Sequence, residues 1–339
     1  MDRTGAVRQQ RRIDRMKEGG VTQSSVLVHD LCREALNGLR PHLSHPESAP
    51  RLNDLVAMLA SETPVNVAQV KQLSPFRYPG GKTWLVPHTR QWLRQMPEKP
   101  AVLLEPFAGG AMVGLSAAAE GLAERVELWE LDDDVAAVWK VVFGRSDADV
   151  KWLSDEILDF EMTLENVRVI IDAKPRSTRR KAFRTIVKNR VQRGGIMANG
   201  AGLVKAGENG HGLNSRWYPA TLAKRLTALR ALKDNVTFTH GNAFDALNTH
   251  AVNPACAMFI DPPYTAAGKR AGSRLYTHND LDHERLFKEV SAAAGTALLT
   301  YDDTPEMRAL AANHGFLVGD VAMKSTHHAV MRELTIFKS

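Results

Sequence analysis

From Ala101 onward the chain alternates short apolar runs with helical stretches, and this texture limits its fold more than any other feature. The run 101–104 passes through a glycine turn into an Ala-rich helical segment at 112–122. The pattern repeats with a strand at 125–131 and a helix at 135–142. Further buried-strand candidates lie at 236–239, 257–260 and 296–300. Strands that are apolar throughout must be covered on both faces, and helices between them make the sheet mostly parallel. The expected class is therefore α/β, with a Rossmann-like sheet between helices. Between about 145 and 234 the alternation lapses. That stretch is basic, glycine-rich from Gly194 to Gly212, and reads as a lobe inserted into the sheet domain. The sheet domain is then expected over 73–144 and 235–339, with the insertion over 145–234. Residues 1–72 form a basic arm and a helical extension, in which Leu27, Leu31, Ala35 and Leu39, then Leu52, Leu55, Val56 and Leu59, recur at helical spacing.

Composition narrows the partners. The 339 residues are 44% hydrophobic and 24% charged, as in an ordinary globular protein. No apolar run approaches the roughly 20 residues a membrane span needs, and the N-terminus has no apolar signal segment, so no membrane and a cytoplasmic setting are expected. Cys32 and Cys256 stand far apart without a ligand pattern, which argues against a disulfide framework, and no metal site is expected. The net charge is +6, unevenly placed: Lys174, Arg176, Arg179, Arg180, Lys181, Arg184, Lys188, Arg190 and Arg193 follow one another without an acid. Solvated helix faces usually mix signs, so this block reads as a surface for phosphates.

Three motifs carry chemistry. Leu103-Leu104-Glu105-Pro106-Phe107-Ala108-Gly109-Gly110-Ala111 is a strand entering a tight turn whose small residues let the backbone approach a nucleotide-like ligand. Glu130, at the end of the next strand, stands where an acid accepts hydrogen bonds from both ribose hydroxyls. Phosphates prefer a helix N-terminus without carboxylates, so Glu105 suits a cationic sulfonium nucleoside better than a dinucleotide. Asp261-Pro262-Pro263-Tyr264 directly follows another strand. The Asp261 carboxylate and the Pro262 carbonyl can together accept both hydrogens of one amino group, while Tyr264 offers a face for a planar base. An exocyclic amino nitrogen is a poor nucleophile because its lone pair is delocalised, and two fixed acceptors favour its reactive pyramidal form. Pro75-Phe76-Arg77-Tyr78-Pro79-Gly80-Gly81-Lys82 reads as a loop over a ligand, with Lys82 available to a carboxylate.

In their order and spacing these motifs resemble the Dam-like, α-group adenine-N6 DNA methyltransferases, over roughly residues 74–339. The resemblance implies a class I methyltransferase fold, S-adenosylmethionine as cofactor, double-stranded DNA as partner, and a target-recognition insertion. It implies Tyr78, Gly81, Lys82, Glu105, Phe107, Gly109, Glu130, Asn242, Phe244 and Asp261 as cofactor residues. Asp261, Pro262, Pro263 and Tyr264 would form the catalytic target-base site. Arg77 matches a basic position able to touch DNA, and Arg190, Arg193 and Arg216 fall in the insertion that would read it. Ala111 departs from the family, standing where a third glycine is common.

Other chemistries remain open at this point. Methylation of cytosine N4 or of RNA uses a similar motif, and a DNA-binding paralogue without activity would share the fold. Cytosine-C5 chemistry would need a nucleophilic cysteine, whereas Cys256 sits at a core strand as a buried thiol would. The recognised base sequence and any restriction or defence-system partner are not readable from these residues.

Overall fold

The computed structural model describes residues 70–77, 82–144, 146–195, 210–263, 281–324 and 330–338, with short pieces at 37–39, 43, 45–48, 51–52, 197, 202–204 and 207. The chain divides into two units, Met1–Ala60 and Ser61–Ser339. In the first unit, residues 37–39 and 51–52 are helical and Pro46–Ser48 forms a 3-10 turn. The rest of the helices expected there lies outside the described residues.

In the second unit, a 3-10 turn at Lys82–Leu85 runs into helix α1, Val86–Arg94, which buries Val86, Thr89 and Leu93. Strand β1 (Val102–Glu105) leads to α2 (Met112–Glu120), and β2 (Arg125–Glu130) to α3 (Asp133–Phe143). Four helices follow: α4 (Asp147–Asp159), α5 (Leu164–Asp172), α6 (Thr178–Val191) and α7 (Pro219–Arg230). The sheet resumes with β3 (Val236–His240), α8 (Ala243–His250), β4 (Cys256–Ile260), α9 (His283–Ala292), β5 (Thr296–Asp302), α10 (Pro305–Asn313), β6 (Leu317–Lys324) and β7 (Val330–Lys338). The strand order is β3-β2-β1-β4-β5-β7-β6; β1 to β5 pair in parallel, while β7 is antiparallel to both neighbours. This is the Rossmann-like α/β sheet expected from the alternation. The return strands β6 and β7 are additions to that expectation.

Side chains of β1, β4 and β5 point alternately into two apolar cores. Leu103, Phe259 and Leu298 join one, while Leu104, Met258, Ile260 and Leu299 join the other. Both faces are thus covered, as continuous apolar strands require. Among the described residues of 147–230, the buried apolar side chains in the clusters pack with the sheet's own core. Leu153, Ile157, Val167, Phe183, Ile186, Leu222 and Leu226 belong to the same cluster as Leu103, Val138 and Trp139.

The basic block differs from the surface expected. Arg179 pairs with Asp149, Lys181 with Asp133, and Arg184 and Lys188 with Asp134. Those acids sit in the first turns of α3 and α4, so α6 is held to its neighbours by ion pairs supplied from elsewhere in the chain. Cys256 is buried on β4, and burial pushes its thiol up to about 12, which suits packing rather than nucleophilic attack. No helix among the described residues is long and apolar enough to cross a membrane.

Candidate active site

Four parallel strands deliver an acid to one edge of the sheet. Glu105 ends β1, Glu130 ends β2, Asp261 follows β4 and Asp302 ends β5. Ligands of open α/β sheets bind outside the carboxyl ends of the strands. By strand alternation these acids share the face of Leu103, Leu128, Phe259 and Leu298.

The glycine turn is fixed from several directions. Gly109 donates its N–H to Glu130 Oε2 at 2.8 Å, while Trp139 Nε1 donates to the Gly109 carbonyl at 2.9 Å. Asp132 N–H reaches Glu130 Oε1 at 2.8 Å, so Glu130 is oriented by two backbone amides. Burial raises its carboxyl to about 7, against the lowering effect of those amides. Ala111 takes the left-handed φ of 50°, which explains why a glycine would sit there easily. Glu105 is buried and accepts the Gly114 N–H at 2.8 Å. A Cβ at Gly114 would collide with Glu105 Oε2 and Leu128, so only glycine lets α2 approach β1 this closely. Burial pushes Glu105 well above the usual carboxylate range, and the neighbouring Asp261 and Glu130 push the same way.

Lys82 is buried at this edge between two carboxylates. Its ammonium pairs with Glu333 of β7 and lies 3.2 Å from Asp261 Oδ1. Thr300 Oγ1 donates to the same Asp261 oxygen at 2.8 Å. Burial opposes the charge on Lys82, yet Asp261 and Glu333 leave its pKa above the ordinary lysine value. Pro262 is buried and Pro263 half-buried behind Asp261. Asn242 caps α8, its Oδ1 accepting the Phe244 N–H at 2.8 Å, and Phe244 carries the Arg285 guanidinium over its ring. Phe107 packs at the rim of the second core. Tyr78, Gly81 and Tyr264 lie outside the described residues.

The donor set suits a cationic, amino-bearing nucleoside. Lys82 lies between Asp261 and Glu333 with Asp302 nearby, and Asp302 Oδ2 is buried with no donor among the described residues, an orphaned acceptor that such a ligand would satisfy. Glu333 was not anticipated from sequence. Glu333 meets Lys82 across 251 residues, and no local pattern announces such a contact.

The arginines divide. Arg77 and Arg193 are exposed and Arg216 is half-buried. Arg190, expected at the DNA, is buried and donates to the Pro75 carbonyl. Burial, with Arg225, Arg77 and Arg216 close by, pulls it down to about 9, still charged at neutral pH. Arg225 donates to the Ser74 carbonyl at 3.2 Å. Asn189 accepts the Arg77 N–H and donates to the Arg77 carbonyl, both at 2.8 Å. Helices α6 and α7 thereby strap down the segment that leads to Lys82.

A sheet with this order and an antiparallel β7, with acids at its carboxyl edge, defines the class I methyltransferase fold that uses S-adenosylmethionine. A family model described as D12 class N6 adenine-specific DNA methyltransferase matches residues 78–320. The chain belongs to this family, and is an S-adenosylmethionine-dependent enzyme that methylates adenine N6 in DNA. No curated protein matches it. Among solved structures, a putative RNA methyltransferase from Pyrococcus horikoshii is similar at 10% identity and a TM-score of 0.34, over 83% of this chain and 94% of that one. A precorrin-6y C5,15-methyltransferase from Geobacter metallireducens gives 11% and 0.33, over 76% and 87%. A putative class I S-adenosylmethionine-dependent methyltransferase from Listeria monocytogenes gives 11% and 0.35, over 86% and 68%. Likenesses this distant carry no argument; the assignment rests on the family match.

Proposed function

We propose that Asp261 and the Pro262 carbonyl hold the amino hydrogens of an adenine turned out of double-stranded DNA, with Pro263 stiffening the turn and Tyr264 stacking on the base. A base inside the duplex is out of reach of such a pocket, so extrusion precedes the chemistry. The observation that carries this reading is the placement of Asp261. It follows β4 at the acid-lined edge, and the contacts from Lys82 and Thr300 both fall on Oδ1. Oδ2 is then the oxygen for the target amino group, and it takes the proton that nitrogen loses on methylation.

When bound, S-adenosylmethionine supplies a methyl group on a sulfonium that leaves as a neutral thioether. In this reading Glu130 accepts its ribose hydroxyls, Gly109 and Phe107 shape the pocket, and Asn242 and Phe244 flank the adenine. Glu105 and Asp302 provide the negative surroundings, and Tyr78, Gly81 and Lys82 close the near side. Residues 145–234 carry target recognition, with Arg77, Arg193 and Arg216 on the DNA. A cytoplasmic setting, beside a restriction or defence-system partner, belongs to the same reading.

The test is transfer of radioactive methyl from the cofactor to duplex DNA, followed by digestion to nucleosides. Label is expected in N6-methyl-2′-deoxyadenosine, and Asp261→Asn should reduce the rate about 100-fold or more while the protein still binds cofactor. Label in a cytosine derivative, or an undiminished rate in the variant, overturns the reading.

A further inference from the structure

We propose that Glu333 is a positioning residue for methyl transfer, holding the Lys82 ammonium to one side of Asp261 so that the carboxylate stays open to the target amino group. This rests on the reading of Asp261 given above. Glu333 lies beyond residues 78–320, the span shared with the family, and reaches the site because β7 is the antiparallel strand next to β5.

The register explains the arrangement. Thr300 pairs with Thr335 and Asp302 with Glu333, so the Asp302 and Glu333 side chains stand opposite each other on the face that Asp261 shares. Like charges directly opposite on an antiparallel pair repel. Lys82, only 5% exposed, sets a cation beside this pair. A buried ammonium between two carboxylates satisfies neither completely. It is ion-paired to both, more closely to Glu333 than to Asp261, whose Oδ1 it meets at 3.2 Å and shares with Thr300.

Two consequences follow for the reaction. With Glu333 present, the trio of Lys82, Asp261 and Glu333 keeps one surplus negative charge. During transfer the nitrogen–carbon bond forms as the sulfur–carbon bond breaks, so positive charge leaves sulfur and appears on the adenine amino nitrogen, which then sheds a proton. The surplus charge favours that movement. Without Glu333, the Lys82–Asp261 ion pair, 3.2 Å long with Glu333 in place, is free to tighten, and the incoming amino group must compete more strongly with a cation for the same carboxylate.

A double-mutant cycle on the full-length enzyme separates positioning from mere support. In single-turnover methyl transfer, Glu333→Gln should be slower by about 10- to 100-fold, with the dissociation constants for cofactor and DNA unchanged within about twofold. In a Lys82→Met background the same substitution should change the rate by less than about twofold, because there is no ammonium left to place. If Glu333→Gln alone fails to fold, the double variant, which removes both charges, is compared directly with Lys82→Met. Independent, multiplying losses, a wild-type rate in Glu333→Gln, or a tenfold further loss in the double variant would overturn the proposal. An Asp261→Asn enzyme of normal rate would instead sink the underlying reading, so the two failures are distinguishable.

Discussion

Glu130 has two engagements that conflict with one another. Its oxygens are each oriented by a backbone amide, from Gly109 and Asp132, while burial raises its carboxyl from the ordinary 4.5 to about 7. The folded protein therefore binds this proton more strongly than the unfolded chain does. Its contribution to stability is fully present below pH 4.5 and is lost as the pH rises through 7. Cofactor binding should run the other way. A carboxylate accepts ribose hydroxyls, whereas a proton on one oxygen removes an acceptor, so affinity should improve by about tenfold between pH 6 and pH 8. Calorimetric titration across that range checks the sign, and Glu130→Gln should bind weakly with no such slope. A pH-independent constant in the unaltered protein would mean that Glu130 does not meet the ribose as an anion.

At the scale of elements, α6 reaches the strap before Lys82 through the Asn189 amide as well as through Arg190. Asn189, fully buried, bonds both backbone groups of Arg77 and the Gly195 carbonyl. Gly195 has φ 73° and its α-carbon faces the Arg77 carbonyl, where a Cβ would clash. Asn189→Ala removes these three bonds and should cost about 2–4 kcal/mol in denaturant unfolding. A cost under about 1 kcal/mol would show that the strap finds other partners. None of this is local in sequence. Strands β1 and β4 were legible as nearly unbroken apolar runs and β5 by its apolar centre, while in β2 and β3 apolar and polar residues alternate, and the observed bounds differ by one or two residues. Strands β6 and β7 carry Asp320, Lys324, Arg332, Glu333 and Lys338, which interrupt any such run. The motif positions Glu105, Glu130 and Asp261 were readable because each ends or follows a strand. Glu333 and Asn189 were not, since their partners are supplied by distant elements. The basic run misled for the same reason: its acids are in α3 and α4.

For the molecule as a whole, the +6 charge does not measure its grip on DNA, because much of the cationic block is neutralised internally. What remains for phosphates is the exposed subset, and salt dependence is the property that isolates it. Each phosphate contact releases condensed counterions and adds about one to the slope of log affinity against log salt. Arg77→Ala and Arg193→Ala should each lower affinity for every duplex tested and reduce that slope by about one, with cofactor binding unchanged. Arg216, half-buried at the end of the 3-10 turn Gly212–Arg216, should behave similarly if it faces the same groove. Arg190→Ala should differ in kind, lowering the unfolding midpoint through its lost bond to Pro75 while leaving the slope of the folded protein intact. Fluorescence anisotropy with a labelled duplex between about 50 and 200 mM salt reads these slopes. Equal slopes in the unaltered protein and in Arg77→Ala and Arg193→Ala would place the DNA on another face of the enzyme.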